Sequence, residues 1–205
     1  MSWLTGGPYG EAKKLIPQLA DADATKRDAV ARELIKLGAD AVPPLIDALQ
    51  TQDPNLILYR QHVLARIPSA TPALTKALAT AHPLVRGRVA EIFGISKDKS
   101  AIPALLDALK GEYFTVRSRA TLALANIGDA KVIAFLLPLL KDQEGEVRSA
   151  ACVSIAKFND PSTFDEITTV LLDDSLIEVR QSAARALGGT KHPAALPFLM
   201  EALRD

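Results

Sequence analysis

Few side chains in this sequence could act as nucleophile, base or metal ligand, and their spacing keeps them apart. His62, His82 and His192 stand in separate stretches, without the close ligand pairs from which a metal site is built. The single cysteine, Cys152, lies one residue after an apolar position in "SAACVSIA" (149–156) and reads as a core thiol. "TGGPYG" (5–10) lacks the lysine and the strand–helix context of a phosphate loop. The arginines remain, since a guanidinium can grip a carboxylate or phosphate through a fixed fork of donors. Arg27, Arg60, Arg86, Arg117, Arg148 and Arg180 recur at steps of 33, 26, 31, 31 and 32. Catalysis needs one constellation. A residue that returns once per unit belongs to the construction instead.

The surroundings of the arginines repeat as well, in "VRGRVAEIFGISKDK" (85–99), "VRSRATLALANIGDA" (116–130), "VRSAACVSIAKFNDP" (147–161) and "VRQSAARALGGTKHP" (179–193). Three residues after the anchors stand Val30, Val63, Val89, Ala120, Ala151 and Ala183, and seven after stand Leu34, Ile67, Phe93, Leu124, Ile155 and Leu187. Both columns are apolar throughout, and their spacing puts them on one face of a helix. Proline opens a second helix in "AVPPLIDAL" (41–49), "ATPALTKAL" (70–78), "AIPALLDAL" (101–109) and "ALPFLMEAL" (195–203), where its missing N–H costs nothing. Ile102, Leu105, Leu106 and Leu109 form an amphipathic stripe. Pro138 lies deeper in its segment and should bend it. Gly38 and Gly128 sit where first helices should stop.

Each unit is thus two antiparallel helices in roughly thirty residues. The expected fold is all-α, an α-solenoid of about six helix pairs. An N-terminal lead-in and capping helix occupies 1–23. One continuous domain, 24–205, holds units 24–52, 54–80, 82–111, 113–143, 144–174 and 176–205. The 26-residue step suggests a tight, irregular turn at "RIPSATP" (66–72).

The totals agree. The chain has 205 residues with 24 basic and 24 acidic side chains, so it lacks the basic excess of a nucleic-acid binder. Aromatics are 5% of residues, which suits close-packed helices. One cysteine excludes an internal disulfide framework and fits a reducing compartment. The N-terminus does not read as a signal peptide, and no apolar run approaches the ~20 residues of a membrane span. A cytoplasmic protein is expected.

The phrase V-R-x-x-A-x-x-A-L, followed by glycine and an alanine-isoleucine-proline second helix, resembles HEAT repeats, and most of all the short HEAT-like type of phycobilisome (bilin) lyases. The resemblance covers about residues 24–205. It implies a ladder in which turn aspartates and first-helix arginines link adjacent units. Asp21, Asp142 and Asp174 stand six residues before Arg27, Arg148 and Arg180, and Arg86 and Arg117 complete the set. At the acid position the third and fourth units have Thr80 and Gly111, and the second has Pro54 beside Asp53, so the ladder should be interrupted there. The resemblance also implies a concave face lined by second helices, the usual partner surface. By register it presents Asp47, Lys76, Asp107, Lys110, Phe135, Lys141, Asp165, Phe198 and Glu201. HEAT-like metal hydroxylases carry His-Glu pairs and HEAT-like DNA glycosylases use tryptophans. Here no His-Glu pair occurs and Trp3 is the sole tryptophan.

The resulting expectation is a non-enzymatic scaffold or adaptor, without cofactor, metal or catalytic residue. It would bind another protein and neither nucleic acid nor membrane. The alternative is a subunit of a bilin lyase-isomerase or related phycobilisome-processing factor. The C-terminal edge, with Leu199 and Leu203 turned inward and Phe198 and Met200 outward, is a candidate for weak self-association. Trp3 and Tyr9 are expected to cover the opposite end.

Overall fold

The computed structural model describes residues 7–21, 23–190 and 192–202. Trp3 and Leu203, to which the sequence assigns roles, lie outside them. Among the described residues there is no strand, and no helix is long and apolar enough to cross a membrane. The fold is an all-α solenoid built from short helices.

The chain divides into two compact halves, 1–104 and 105–205. The first contains α1 (Pro8–Leu15), α2 (Ala24–Leu37), α3 (Val42–Ala48), α4 (Pro54–Ala65), α5 (Thr71–Thr80) and α6 (Pro83–Ser96). Then α7 (Ile102–Ala108) leads into the second, with α8 (Phe114–Ile127), α9 (Ile133–Leu136), α10 (Gly145–Ala156), α11 (Phe164–Asp173), α12 (Ile177–Thr190) and α13 (Ala195–Ala202). Helix α1 begins with proline in its first turn. Its Ala12, and Ile16 and Leu19 of the 3-10 turn behind it, are buried.

First helices stack on first helices: α4 on α6 in the N-terminal half, and α8 on α10 and α10 on α12 in the C-terminal half. Second helices pack against the first helix that follows, α5 on α6 and α11 on α12. Every residue of the two apolar columns is buried. In the C-terminal half the three-residue column is alanine throughout, and such small side chains let helix backbones approach closely. The Ser154 hydroxyl accordingly reaches the Thr121 carbonyl of the neighbouring first helix at 3.2 Å.

The helix ends follow from local chemistry. Gly38 and Gly128 take φ of 60° and 79° at the ends of α2 and α8, a region that costs a side-chain-bearing residue strain. Pro138 has no N–H to give and crowds the carbonyl four residues back. The helix therefore breaks after four residues, and Leu137–Lys141 continues as a 3-10 helix. In α7, Leu105 is fully buried while Ile102 and Leu106 are half-buried.

The 26-residue step has a different origin from the one expected. Helices α2, α6, α8, α10 and α12 begin three residues before Arg27, Arg86, Arg117, Arg148 and Arg180, whereas α4 begins six before Arg60. The residue in register is therefore Ile57, and the steps become 30, 29, 31, 31 and 32. The connection 66–70 is as long as 97–101 and 128–132, so nothing has been shortened at "RIPSATP". Arg60 instead occupies the three-residue core column of its repeat.

Candidate functional site

The arginine interlock is most regular in the C-terminal half. Arg117 donates Nε and Nη2 to the two oxygens of Asp142 at 2.9 and 2.8 Å, and Nη1 to the carbonyls of Gly111 and Glu112. Arg148 repeats this one unit on. It donates to both oxygens of Asp174 at 2.6 and 2.9 Å, and to the carbonyls of Asp142 and Gln143. Arg180 donates Nη1 to the Asp174 carbonyl at 2.8 Å. The aspartate six residues before an arginine thus offers that arginine its backbone oxygen. Its carboxylate goes to the arginine of the preceding repeat and also accepts the amide two residues on.

A backbone oxygen is available from any residue, so Gly111 still accepts from Arg117. A glycine has no carboxylate to offer the arginine of the preceding repeat, however, and the carboxylate link is interrupted there as expected. Both ion pairs are nearly sealed from solvent, with side-chain exposures of 8%/10% and 12%/6%. Burial alone would raise the Asp142 pKa, but hydrogen bonds from Arg117 and the Glu144 amide carry it below the usual carboxylate range. Asp174 is lowered chiefly by its hydrogen bonds from Arg148.

The N-terminal half solves the same problem with other residues. Arg27 donates to the Asp21 carbonyl at 2.7 Å, lies 5.0 Å from the Tyr59 ring centre, and lines a hollow with Asp53 and Asn55. Asp53 caps α4, accepting the amides of Asn55 and Leu56. Arg86 donates Nε to the Leu78 carbonyl at 2.8 Å. Arg60 donates to the Ala48 carbonyl at 2.6 Å, and Arg88 to those of Leu49 and Thr51. Two buried guanidiniums therefore converge on the C-terminal end of α3, where the helix dipole favours cations. Gln61, also buried, donates to the Arg88 carbonyl and to Glu91. Burial lowers the pKa of Arg60.

Sequence reasoning missed Arg88 and Gln61. The available signal was a polar residue inside an otherwise apolar helix phase. The aspartate six residues before an arginine does bond it, through its carbonyl, while the carboxylate partner lies one repeat further on. Forward spacings of 25 and 26 link Arg117 to Asp142 and Arg148 to Asp174, and the same spacing of 26 sets Asp53 after Arg27, with which it lines one hollow. Asp205 stands 25 residues after Arg180, outside the described residues.

On the second helices, Asp47, Lys76, Asp107, Lys110, Phe135, Lys141, Asp165 and Glu201 are exposed. Asp107 and Lys110 pair with each other at 3.5 Å. Phe198 is half-buried. Its ring meets that of Phe164 edge-on at 5.9 Å, and Phe164 also stacks on His192 at 4.3 Å. Phe198 is thus turned into the fold, because the Phe164 ring offers it an aromatic partner. The open apolar surface of α13 belongs to Leu196 and Met200, 63% and 57% exposed.

Reactive groups are few. Arg148, one turn before Cys152, favours its thiolate, but burial dominates and pushes the thiol up to about 12. At neutral pH it is a packed, protonated side chain. His82 accepts the Leu84 amide at the start of α6. Among the described residues no three of His, Cys, Asp and Glu are grouped to hold a metal.

Compared with known proteins, the chain matches the family described as HEAT repeats over residues 71–150 and 133–205, and the PBS lyase HEAT-like repeat over 26–51. No curated protein matches it. One similar solved structure is the complex of CpcE and CpcF of phycocyanin lyase from Nostoc sp. PCC7120. It has 24% identity and a TM-score of 0.52, over 91% of this chain and 79% of that one. Another is an engineered protein at 21% identity and a TM-score of 0.49, over 88% of this chain and 98% of that one. A designed armadillo repeat protein in complex with the peptide (KR)4 has 19% identity and a TM-score of 0.49, over 88% of this chain and 100% of that one. At these identities the likeness is one of fold.

Proposed function

The chain belongs to the HEAT-repeat family, and from that premise we propose that it is a non-enzymatic scaffold or adaptor holding another protein on its second-helix face. The observation that carries this reading is exposed apolar surface on the second helices. Phe135, Leu196 and Met200 are each more than half exposed beside charged neighbours, a composition suited to a partner surface. The interlock arginines are engaged in holding repeats together, and the one thiol is protonated and buried. Equal numbers of acidic and basic side chains support a protein partner over a polyanion. The single unpaired thiol suits a reducing, cytoplasmic setting.

Capture from native lysate with mass spectrometry tests the reading. A partner retained by the wild type should be lost by Phe135→Glu/Met200→Glu, with helicity unchanged by circular dichroism. A partner retained equally by the variant contradicts it. The same apolar side chains support weak self-association through the C-terminal edge. In that case light scattering rises with concentration and Met200→Glu abolishes the rise.

A second reading, a subunit of a bilin lyase-isomerase or related processing factor, draws on the PBS lyase HEAT-like repeat at 26–51 and on the phycocyanin lyase neighbour. It requires a red-shifted absorbance when the protein is mixed with phycocyanobilin. An unchanged spectrum removes it.

A further inference from the structure

The second helices of the C-terminal half are acidic as well as apolar, which the neutral total conceals. Along α9 and its 3-10 continuation, α11 and α13, the charged residues are Lys141 against Asp165, Glu166, Asp173 and Glu201, all exposed. Helices α11 and α13 pack side by side. Their solvent side therefore sets these carboxylates among Leu172, Leu196 and Met200, each at least 38% exposed.

None of the four carboxylates has an ion pair or a side-chain hydrogen bond among the described residues. Some exposed acids elsewhere are tied locally, as Glu33 is to Lys36 and Asp107 to Lys110, while others, Asp47 and Glu178 among them, have no ion pair among the described residues either. The needs of the helices explain only part of the pattern. Asp165 and Glu166 sit in the first turn of α11, where the dipole welcomes an anion. Asp173 ends that helix, where an anion opposes the dipole. That charge works against its own helix.

We propose that this face binds a basic amphipathic segment of a partner protein, with lysine or arginine spaced among apolar side chains. The inference rests on the scaffold reading and names the chemistry of its partner. A purely apolar partner would bury unpaired carboxylates at a steep cost. A purely cationic one would leave the leucines and Met200 in water. A segment carrying both satisfies both, with Met200 adapting its shape to the apolar part. Asp165 and Asp173 lie eight residues apart on α11, about 12 Å along the helix axis, which sets the spacing of two of the partner's cations.

Fluorescence anisotropy of the full chain with labelled amphipathic peptides tests this. A lysine–leucine peptide should bind, and more weakly as salt rises. Replacing its lysines by glutamate, or its leucines by serine, should weaken binding at least about tenfold. Asp165→Lys/Asp173→Lys should do the same, while Asp28→Lys/Asp40→Lys, an equal change of net charge on the first repeat, should not. The proposal is overturned if the glutamate or serine peptide binds as well as the parent, or if the two double variants behave alike. Failure of the parent peptide also overturns it. If the lysate partner is nevertheless lost on Phe135→Glu/Met200→Glu, the scaffold reading survives without it. If that partner is retained by the variant, the scaffold reading falls as well.

Discussion

Asp174 joins three repeat elements at once: its carboxylate holds Arg148, its carbonyl holds Arg180, and the Leu176 amide closes the turn. Asp174→Ala removes the carboxylate links and strands a buried guanidinium, a loss of about 1–3 kcal/mol. Asp173→Ala, at an exposed neighbour, should stay within about 0.5 kcal/mol. Equal urea midpoints for the two would contradict the interlock.

The pH dependence follows from the same pairs. Asp142 and Asp174 titrate below their ordinary range when folded, so the unfolded chain binds more protons. Their contribution is whole above the unfolded pKa of about 4 and is lost as pH falls through the folded value. Tm should therefore drop below about pH 4, and drop less in Asp142→Asn/Asp174→Asn, which starts lower. Parallel profiles would sink this account.

Arg60 gives a contrast. It fills a core column and has a buried Nε without a hydrogen bond, so Arg60→Met should change stability by less than about 1 kcal/mol. Arg148→Met abandons the buried Asp174 carboxylate and should cost about 3 kcal/mol. Denaturant titration of both variants checks the difference.

At the scale of the element, α8 ends because Gly128 enters the left-handed region. Gly128→Ala should cost about 1 kcal/mol. Gly188, inside α12 with open space where a Cβ would stand, should gain up to about 1 kcal/mol as alanine. Thermal melts showing the two changes in the same direction would refute this.

The helix pairs were legible in the sequence because the apolar columns, opening prolines and terminal glycines all act locally. The register of α4 was not, because the positions three and seven residues after Arg60 are apolar while the core column of its repeat is filled by Arg60 itself. Val63 and Ile67 are buried and so is Leu64, so an arginine one turn late still reads as an anchor. Nor was the inward turn of Phe198, which depends on the Phe164 ring in another repeat. The candidate surface was legible as a set of positions, but the pairing of Lys110 with Asp107 and the exposure of the α11 carboxylates needed coordinates.

At the scale of the molecule, repetition explains why no single constellation stands out. The residues that recur are consumed in joining repeats, and what is left for function is the surface the joined repeats display. The C-terminal half displays exposed apolar side chains among carboxylates on α11 and α13 that have no ion pair among the described residues, and Phe135 on α9. The proposed partner protein sits there. Hydrogen–deuterium exchange of the full chain, with and without the partner captured from lysate, tests it most directly. The account predicts added protection on α9, α11 and α13, with α8, α10 and α12 unchanged. Protection confined to the first helices would contradict it.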